Sequence, residues 1–310
     1  MRNKIVIILI IIAVVIIVKG QVQAAFVDTY WGVRALGMGG AYTAVGNDAN
    51  APLYNIGGPA FATQQEVTLM GSRLFAGVEG VEIAANYFSY VNPISAEIGS
   101  ISLAWSSTSV PGLRREDTFS LGYSRIINDI IGLREDIAEI SVGLNIKYLM
   151  QETKFDEEDG DLESSKGAVT GDIGVQVLFS NGIGIGYSSK NLYPAEIGYI
   201  ERDEVKNVNV VGISYYSEEL AYIRLPYFTI AGDIIFRDKE TDIRLGAETY
   251  LADGRLAIRM GGRREGIDIG FGYEFYFANE TSLVIDYAFE LPIEVEESYG
   301  SHFISLSFRF

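Results

Sequence analysis

The sequence predicts an all-β fold: a membrane-spanning antiparallel β-barrel of about fourteen strands, with a short N-terminal plug or hatch segment. Three observations carry that prediction. From residue 65 onward, apolar residues recur with a period of two. The opposite face is made of glycine, serine and charged residues of both signs. Finally, 19 tyrosines, 16 phenylalanines and 34 glycines stand against 7 prolines, a balance that favours a large sheet over helices.

The first element is an address. Arg2 and Lys4 precede an apolar run at 5–18, and Val22-Gln23-Ala24 puts small residues where a signal peptidase reads. Residues 1–24 therefore form a secretory signal peptide. As a helix the run would span about 21 Å, short of the ~30 Å hydrocarbon core, which argues against the alternative of a membrane anchor.

The second element, residues 25–62, does not alternate. Its stretch GVRALGMGGAYTAVGNDANAPLYNIGGPAFA is dominated by small residues from Leu36 to Val45, then broken by Asn47-Asp48-Ala49-Asn50 and a glycine–proline bend. A ribbon this thin fits inside a barrel as a plug. The alternatives are a periplasmic cap or a first ordinary pair of strands.

The barrel follows at 63–310. Its expected strands are 65–75, 82–92, 96–107, 115–126, 137–150, 169–179, 182–189, 205–216, 226–237, 240–250, 254–262, 266–277, 280–290 and 301–310. In the last, Phe310, Phe308, Leu306, Ile304 and His302 oppose Arg309, Ser307, Ser305, Phe303 and Ser301. A soluble sandwich would also alternate, with its apolar face inward. Glycine has little use on a solvent face, however, whereas in a narrow lumen it relieves crowding. Charges of both signs suit a lumen where they pair across strands. The expected lumen network is Arg244, Glu248, Arg255, Arg259, Arg263, Asp268, Glu274, Asp286 and Glu290. Arg255, Arg259 and Arg263 on one strand offer a second use, holding a carboxylate head group.

An even strand count puts both termini in the periplasm. The links at 180–182, 251–254 and 278–280 are then short periplasmic turns, and 151–167, 190–204 and 292–301 are longer outer loops. Two periplasmic links, 128–138 and 216–226, are longer than this rule expects.

Charge and composition exclude several functions. The formal net charge is -17. Arg2, Lys4 and Lys19 supply three positive charges in the first 24 residues, so the rest of the chain carries about -20, and nucleic acid is not an expected partner. With no cysteine and one histidine, thiolate or histidine metal sites and a Ser-His-Asp relay are not expected, and no cofactor is implied. Ser301 and His302 are adjacent in a strand and so point to opposite faces, which prevents them from acting as a pair. His302 is read as a lipid-boundary residue, and the chain as a non-enzyme. The acidic run DEEDGDLE at 156–163 misses the spacing of a calcium loop and is read as a solvated loop.

The stretch Arg34-Ala35-Leu36-Gly37-Met38-Gly39-Gly40-Ala41-Tyr42-Thr43-Ala44-Val45, followed by Asn47-Asp48-Ala49, resembles the amino-terminal signature of the FadL-like outer-membrane barrels, most closely the PorV/PorQ branch. Family members continue with a Trp/Tyr-Asn-Pro-Ala-Gly stretch. Here Tyr54-Asn55 is separated from Pro59 by Ile56-Gly57-Gly58. The resemblance implies a fourteen-stranded barrel holding a hatch, in the outer membrane of a Gram-negative-type bacterium. The terminal Phe310 is similar to the C-terminal insertion signal of such proteins, which implies lipid and the barrel-assembly machinery as partners. Two functions are implied. One is diffusion of hydrophobic molecules such as long-chain fatty acids past the hatch, with Leu36, Met38, Tyr42, Asn55 and Phe61 as pocket candidates. Plug-to-wall packing is the competing use of the hatch side chains. The other function is a PorV-like role in type IX protein secretion, receiving secreted proteins at the outer loops. A passive structural barrel is a third reading.

Overall fold

The structure is a computed structural model and describes residues 26, 31–80, 82–155, 162–193, 195–197, 203–220, 225–238, 240–293, 295 and 297–310. The expected signal peptide at 1–24 and residues 156–161 of the acidic run lie outside the described residues.

Among the described residues, sixteen strands follow the hatch. They are β1 Glu66–Arg73, β2 Ala84–Ser95, β3 Gly99–Val110, β4 Arg114–Ile126, β5 Ala138–Phe155 and β6 Leu162–Phe179. Next come β7 Ile183–Lys190, the short β8 Ala195–Ile197 and β9 Asp203–Val205, β10 Val208–Leu220 and β11 Leu225–Arg237. The last are β12 Glu240–Leu251, β13 Leu256–Arg263, β14 Gly266–Tyr276, β15 Ser282–Pro292 and β16 Ser301–Arg309. All except β8 and β9 form one closed antiparallel barrel of fourteen strands, the number expected from the alternation. The first and last strands close it, with Val67 opposite Phe308 and Leu69 opposite Leu306. Closure removes both sheet edges, which a bilayer would otherwise leave unsatisfied. The terminal residue is held too: the Phe310 amide donates to the Gln65 carbonyl at 3.0 Å, and its ring stacks on Phe308.

The two faces separate as the alternation requires. Leu69, Leu103, Leu121, Ile146, Ile304 and Leu306 are exposed around the outer wall, while Ser102, Ser120, Ser305 and Ser307 are buried toward the lumen. A soluble sandwich would show the reverse. The principal apolar core lies inside the barrel, where Val33, Leu36 and Leu53 of the hatch pack against Met70, Tyr87 and Phe303 of the wall.

Three expectations about the connections are corrected. Strands β5 and β6 continue to Phe155 and Leu162 as a paired hairpin, so most of the loop placed at 151–167 is sheet. The link at 216–226 is mostly hairpin as well, because β10 and β11 pair as far as Leu220 and Leu225. Finally, the 190–204 loop contains the start of an additional hairpin, β8–β9. Its Ala195, Ile197 and Val205 are buried against the inward-facing Leu149. In each case, backbone pairing satisfied peptide groups that a bare loop would have left to water.

Candidate functional site

The hatch is built from turns that its small residues permit. Gly32, with φ 67°, leads into a short helix, Val33–Gly37. Gly39 and Gly40, with φ 66° and 75°, reverse the chain after it. Pro52 and Pro59 each start a 3-10 turn, at Ala51–Leu53 and Gly58–Phe61, where a missing N–H costs nothing. Just before the first of them, Asp48 closes an Asx turn on the Asn50 amide at 2.9 Å.

Glycines on the wall receive this ribbon. A Cβ added to Gly261 would sit 1.9 Å from the Gly39 nitrogen. One on Gly246 would sit 2.4 Å from the Met38 carbonyl oxygen, one on Gly143 2.2 Å from the Ile56 oxygen, and one on Gly186 2.1 Å from the Thr43 oxygen. The lumen glycines thus make the track on which hatch backbone lies against strand backbone.

Polar contacts pin the hatch along that track. Arg34 donates to Glu248 of β12 twice, through Nε at 3.0 Å and Nη2 at 2.7 Å, and through Nη1 to Asp48 at 2.9 Å and Asn47 at 3.0 Å. Glu248 also accepts from Arg259 of β13 at 2.6 Å, and Arg259 donates to Asp286 of β15 at 2.6 Å. One buried chain of charge, Asp48–Arg34–Glu248–Arg259–Asp286, therefore crosses from hatch to wall. Burial pushes the Asp48 carboxyl up, but the Arg34 guanidinium and hydrogen bonds from Arg34, Tyr42 and Asn50 outweigh it and hold the group below its usual range. Asp233 of β11 accepts the backbone amides of Tyr42 and Thr43, both at 3.0 Å.

The lumen network places eight of its nine expected residues in ion pairs. Besides those above, Arg263 pairs with Glu290 at 2.5 Å and Asp268 at 3.5 Å, and Arg244 with Asp242 at 3.4 Å. Glu274 pairs with Arg309 at 2.9 Å. Arg255 stands apart, exposed at the rim with its guanidinium 5.5 Å from the centre of the Tyr276 ring. Of the pocket candidates, Leu36, Met38 and Tyr42 are fully buried between hatch and wall. Asn55 ties the two together, donating to the Thr43 carbonyl at 2.7 Å and the Val175 carbonyl at 3.0 Å. Phe61 lines the main cavity.

That cavity, of about 990 Å³, opens at the end of the barrel that carries the C-terminus and the turns at 180–182 and 252–255. One arc of its lining is apolar, with Val45, Phe61, Leu178, Phe179 and Ile183, and Tyr216 and Tyr227 beside them. The other arc carries Arg34, Asp48, Glu66, Glu248, Glu274 and Arg309. Beside the main cavity, another of about 20 Å³ runs from Arg34 and Asp48 to the same 252–255 turn, and deeper in the lumen two more that touch the hatch hold about 20 and 10 Å³, room for about a water molecule each.

Sequence reasoning did not select Arg34, Asp48 or Asp233 as site residues, nor the buried Lys147–Asp172 pair at 2.7 Å. Lys147, Asp172 and Asp233 carry the same signal as the expected network: a charge on the glycine- and serine-rich face of a strand. Ser301 is buried toward the lumen, while His302 faces outward and shares a 2.7 Å hydrogen bond with the Tyr287 hydroxyl, so the two do not meet. Among the described residues, no three His, Cys, Asp or Glu side chains are grouped to hold a metal ion.

No protein-family model matches the sequence, and comparison with curated proteins returns no match. The fold does match solved structures. A Pseudomonas aeruginosa FadL homologue aligns at 11% identity with a TM-score of 0.55, over 93% of this chain and 99% of that one. The Pseudomonas putida toluene transporter TodX aligns at 10% identity and TM-score 0.58, over 92% and 99%. The CymD monoaromatic hydrocarbon channel aligns at 12% identity and TM-score 0.54, over 92% and 98%. At these identities the likeness establishes the fold alone, over nearly the full length of each chain.

Proposed function

We propose that the protein carries hydrophobic small molecules across the outer membrane by diffusion, with its termini in the periplasm and the hatch as the barrier. The observation that carries this reading is the half-apolar cavity of about 990 Å³ that stops at a pinned hatch. A cavity of this size accommodates a small hydrocarbon or an acyl chain, whereas the two water-sized spaces further into the lumen admit neither. Passage therefore needs the hatch to shift. In the shifted state Leu36, Met38 and Tyr42 would line the route, since they now fill it. The process uses diffusion and conformational change and needs no bond-making chemistry. Solved barrels of this fold include a toluene transporter and a monoaromatic hydrocarbon channel, which makes aromatic hydrocarbons and long-chain fatty acids the two cargo classes to test.

The test is uptake of labelled toluene and labelled oleate by cells that lack their own route and express this chain. Mass spectrometry of small molecules retained by the detergent-purified protein accompanies it. Faster uptake of either cargo supports the reading. Uptake equal to that of empty cells, with no retained apolar molecule, sinks it. The second reading, a PorV-like component of type IX secretion, draws on the motif around Gly37-Met38-Gly39-Gly40 and on the β8–β9 hairpin packed across the far side of the lumen. Recovery of secreted proteins on the outer loops would favour it, and absence of both cargo and partners would leave a passive structural barrel.

A further inference from the structure

The link between β4 and β5 is built firmly yet exposes apolar side chains. Asn128, 3% exposed, donates to the Ala138 carbonyl at 2.7 Å and accepts from the Ile140 amide at 2.8 Å. One helical turn, Asn128–Ile131, ends on Gly132 with φ 68°. The Ser180 amide ties Ile137 to the neighbouring β6–β7 turn at 3.2 Å. Ile130, Ile131 and Ile137 are nevertheless 64%, 51% and 51% exposed, and Ile98 on the adjacent turn is 54% exposed. The hydrogen bonds hold the link in one conformation, so these side chains are displayed by a fixed scaffold.

We propose that this link is an interfacial anchor, whose isoleucines seat in the phospholipid leaflet at the rim that carries the C-terminus. Lipid is the occupant because the patch continues the outer wall. On the outward face the next rungs are Arg125–Val142 and Tyr123–Leu144, and Tyr123, Val142 and Leu144 are exposed there. The Tyr123 hydroxyl of β4 donates to the Ile98 carbonyl, tying the β2–β3 turn to the wall. Four charged groups of the link and the end of β4 pair locally, Arg125 with Asp129 and Arg134 with Asp136, as groups at headgroup level do. Apolar side chains beside paired charges at the edge of a lipid-facing wall make an interfacial amphipath.

Because the chain has no cysteine, single labels report each site cleanly. Ile131→Cys carrying an environment-sensitive NBD probe is reconstituted in phosphatidylethanolamine–phosphatidylglycerol vesicles, with iodide on both sides. Glu135→Cys serves as the water-facing comparison and Leu144→Cys as the lipid-facing one. The expected result is blue-shifted emission at Ile131, quenched several-fold more by spin-labelled lipid than by iodide. Iodide quenching equal to that at Glu135 overturns the proposal. A blue shift that appears in detergent, depends on protein concentration and ignores lipid quencher would place a second copy there, which also overturns it. Should Ile131→Cys fail to fold on a heat-modifiability gel, Ile137→Cys gives the same reading.

Discussion

Glu248→Gln is expected to undock the hatch. The Glu248 carboxylate accepts three charged hydrogen bonds: two from Arg34, at 3.0 and 2.7 Å, and one from Arg259 at 2.6 Å. Removing its charge leaves two buried guanidiniums short of a partner. Breaking a buried pair from one side costs about 3–5 kcal/mol. The low end applies here, because Arg34 retains Asp48 and Arg259 retains Asp286. About 3 kcal/mol corresponds to roughly a hundredfold rise in the undocked population, at about 1.4 kcal/mol per decade. The assay is the reaction rate of Ala41→Cys, a buried hatch position, with a water-soluble maleimide. Labelling should accelerate about a hundredfold in Glu248→Gln. An unchanged labelling rate in a correctly folded Glu248→Gln barrel would refute the claim that this pair holds the hatch.

Other outcomes follow from the same geometry. Asp48 sits below its ordinary range in the folded protein, so the stability it contributes is present above the unfolded pKa of about 3.9 and is lost as pH falls through the folded value. Hatch labelling, taken relative to an exposed single-cysteine control at the same pH so that the falling thiolate fraction cancels, should therefore rise in acid below about pH 4, and Asp48→Asn should remove that pH step while raising the neutral rate. Gly261→Ala places a Cβ against the Gly39 nitrogen and should loosen the hatch by about 1–3 kcal/mol, whereas Gly262→Ala, with open space around it, should be silent in the same labelling assay. Leu121→Arg on the lipid face should destabilise the barrel by about 2–4 kcal/mol in urea titrations of the reconstituted protein. Phe310→Ser should slow insertion in a pulse-chase of outer-membrane assembly; an unaffected rate would argue against Phe310 as the recognition group.

The sequence by itself determined the strand count, the identity of the two faces and the direction each faces. Those are properties of neighbours two residues apart: Ile304, Leu306 and Phe308 on one side, Ser305 and Ser307 on the other. It also marked 32–62 as the stretch outside the alternation, because a segment of glycine and alanine has no face to assign. Only the tertiary structure decided what that segment touches. Arg34 and Glu248 are 214 positions apart, and Asp233 reaches Tyr42 across 191. Nothing local records such partners, since they depend on barrel closure and on how far the ribbon penetrates before it turns. The β8–β9 hairpin was hidden for a related reason. Its strands are three residues each, too short for alternation to show, and the inward-facing Leu149 that buries them lies on a distant strand. The cavity, too, is a property of the assembled ring: Phe61, Ile183 and Tyr227 line one space only because the fold brings the last turn of the hatch and the ends of β7 and β11 to the same rim.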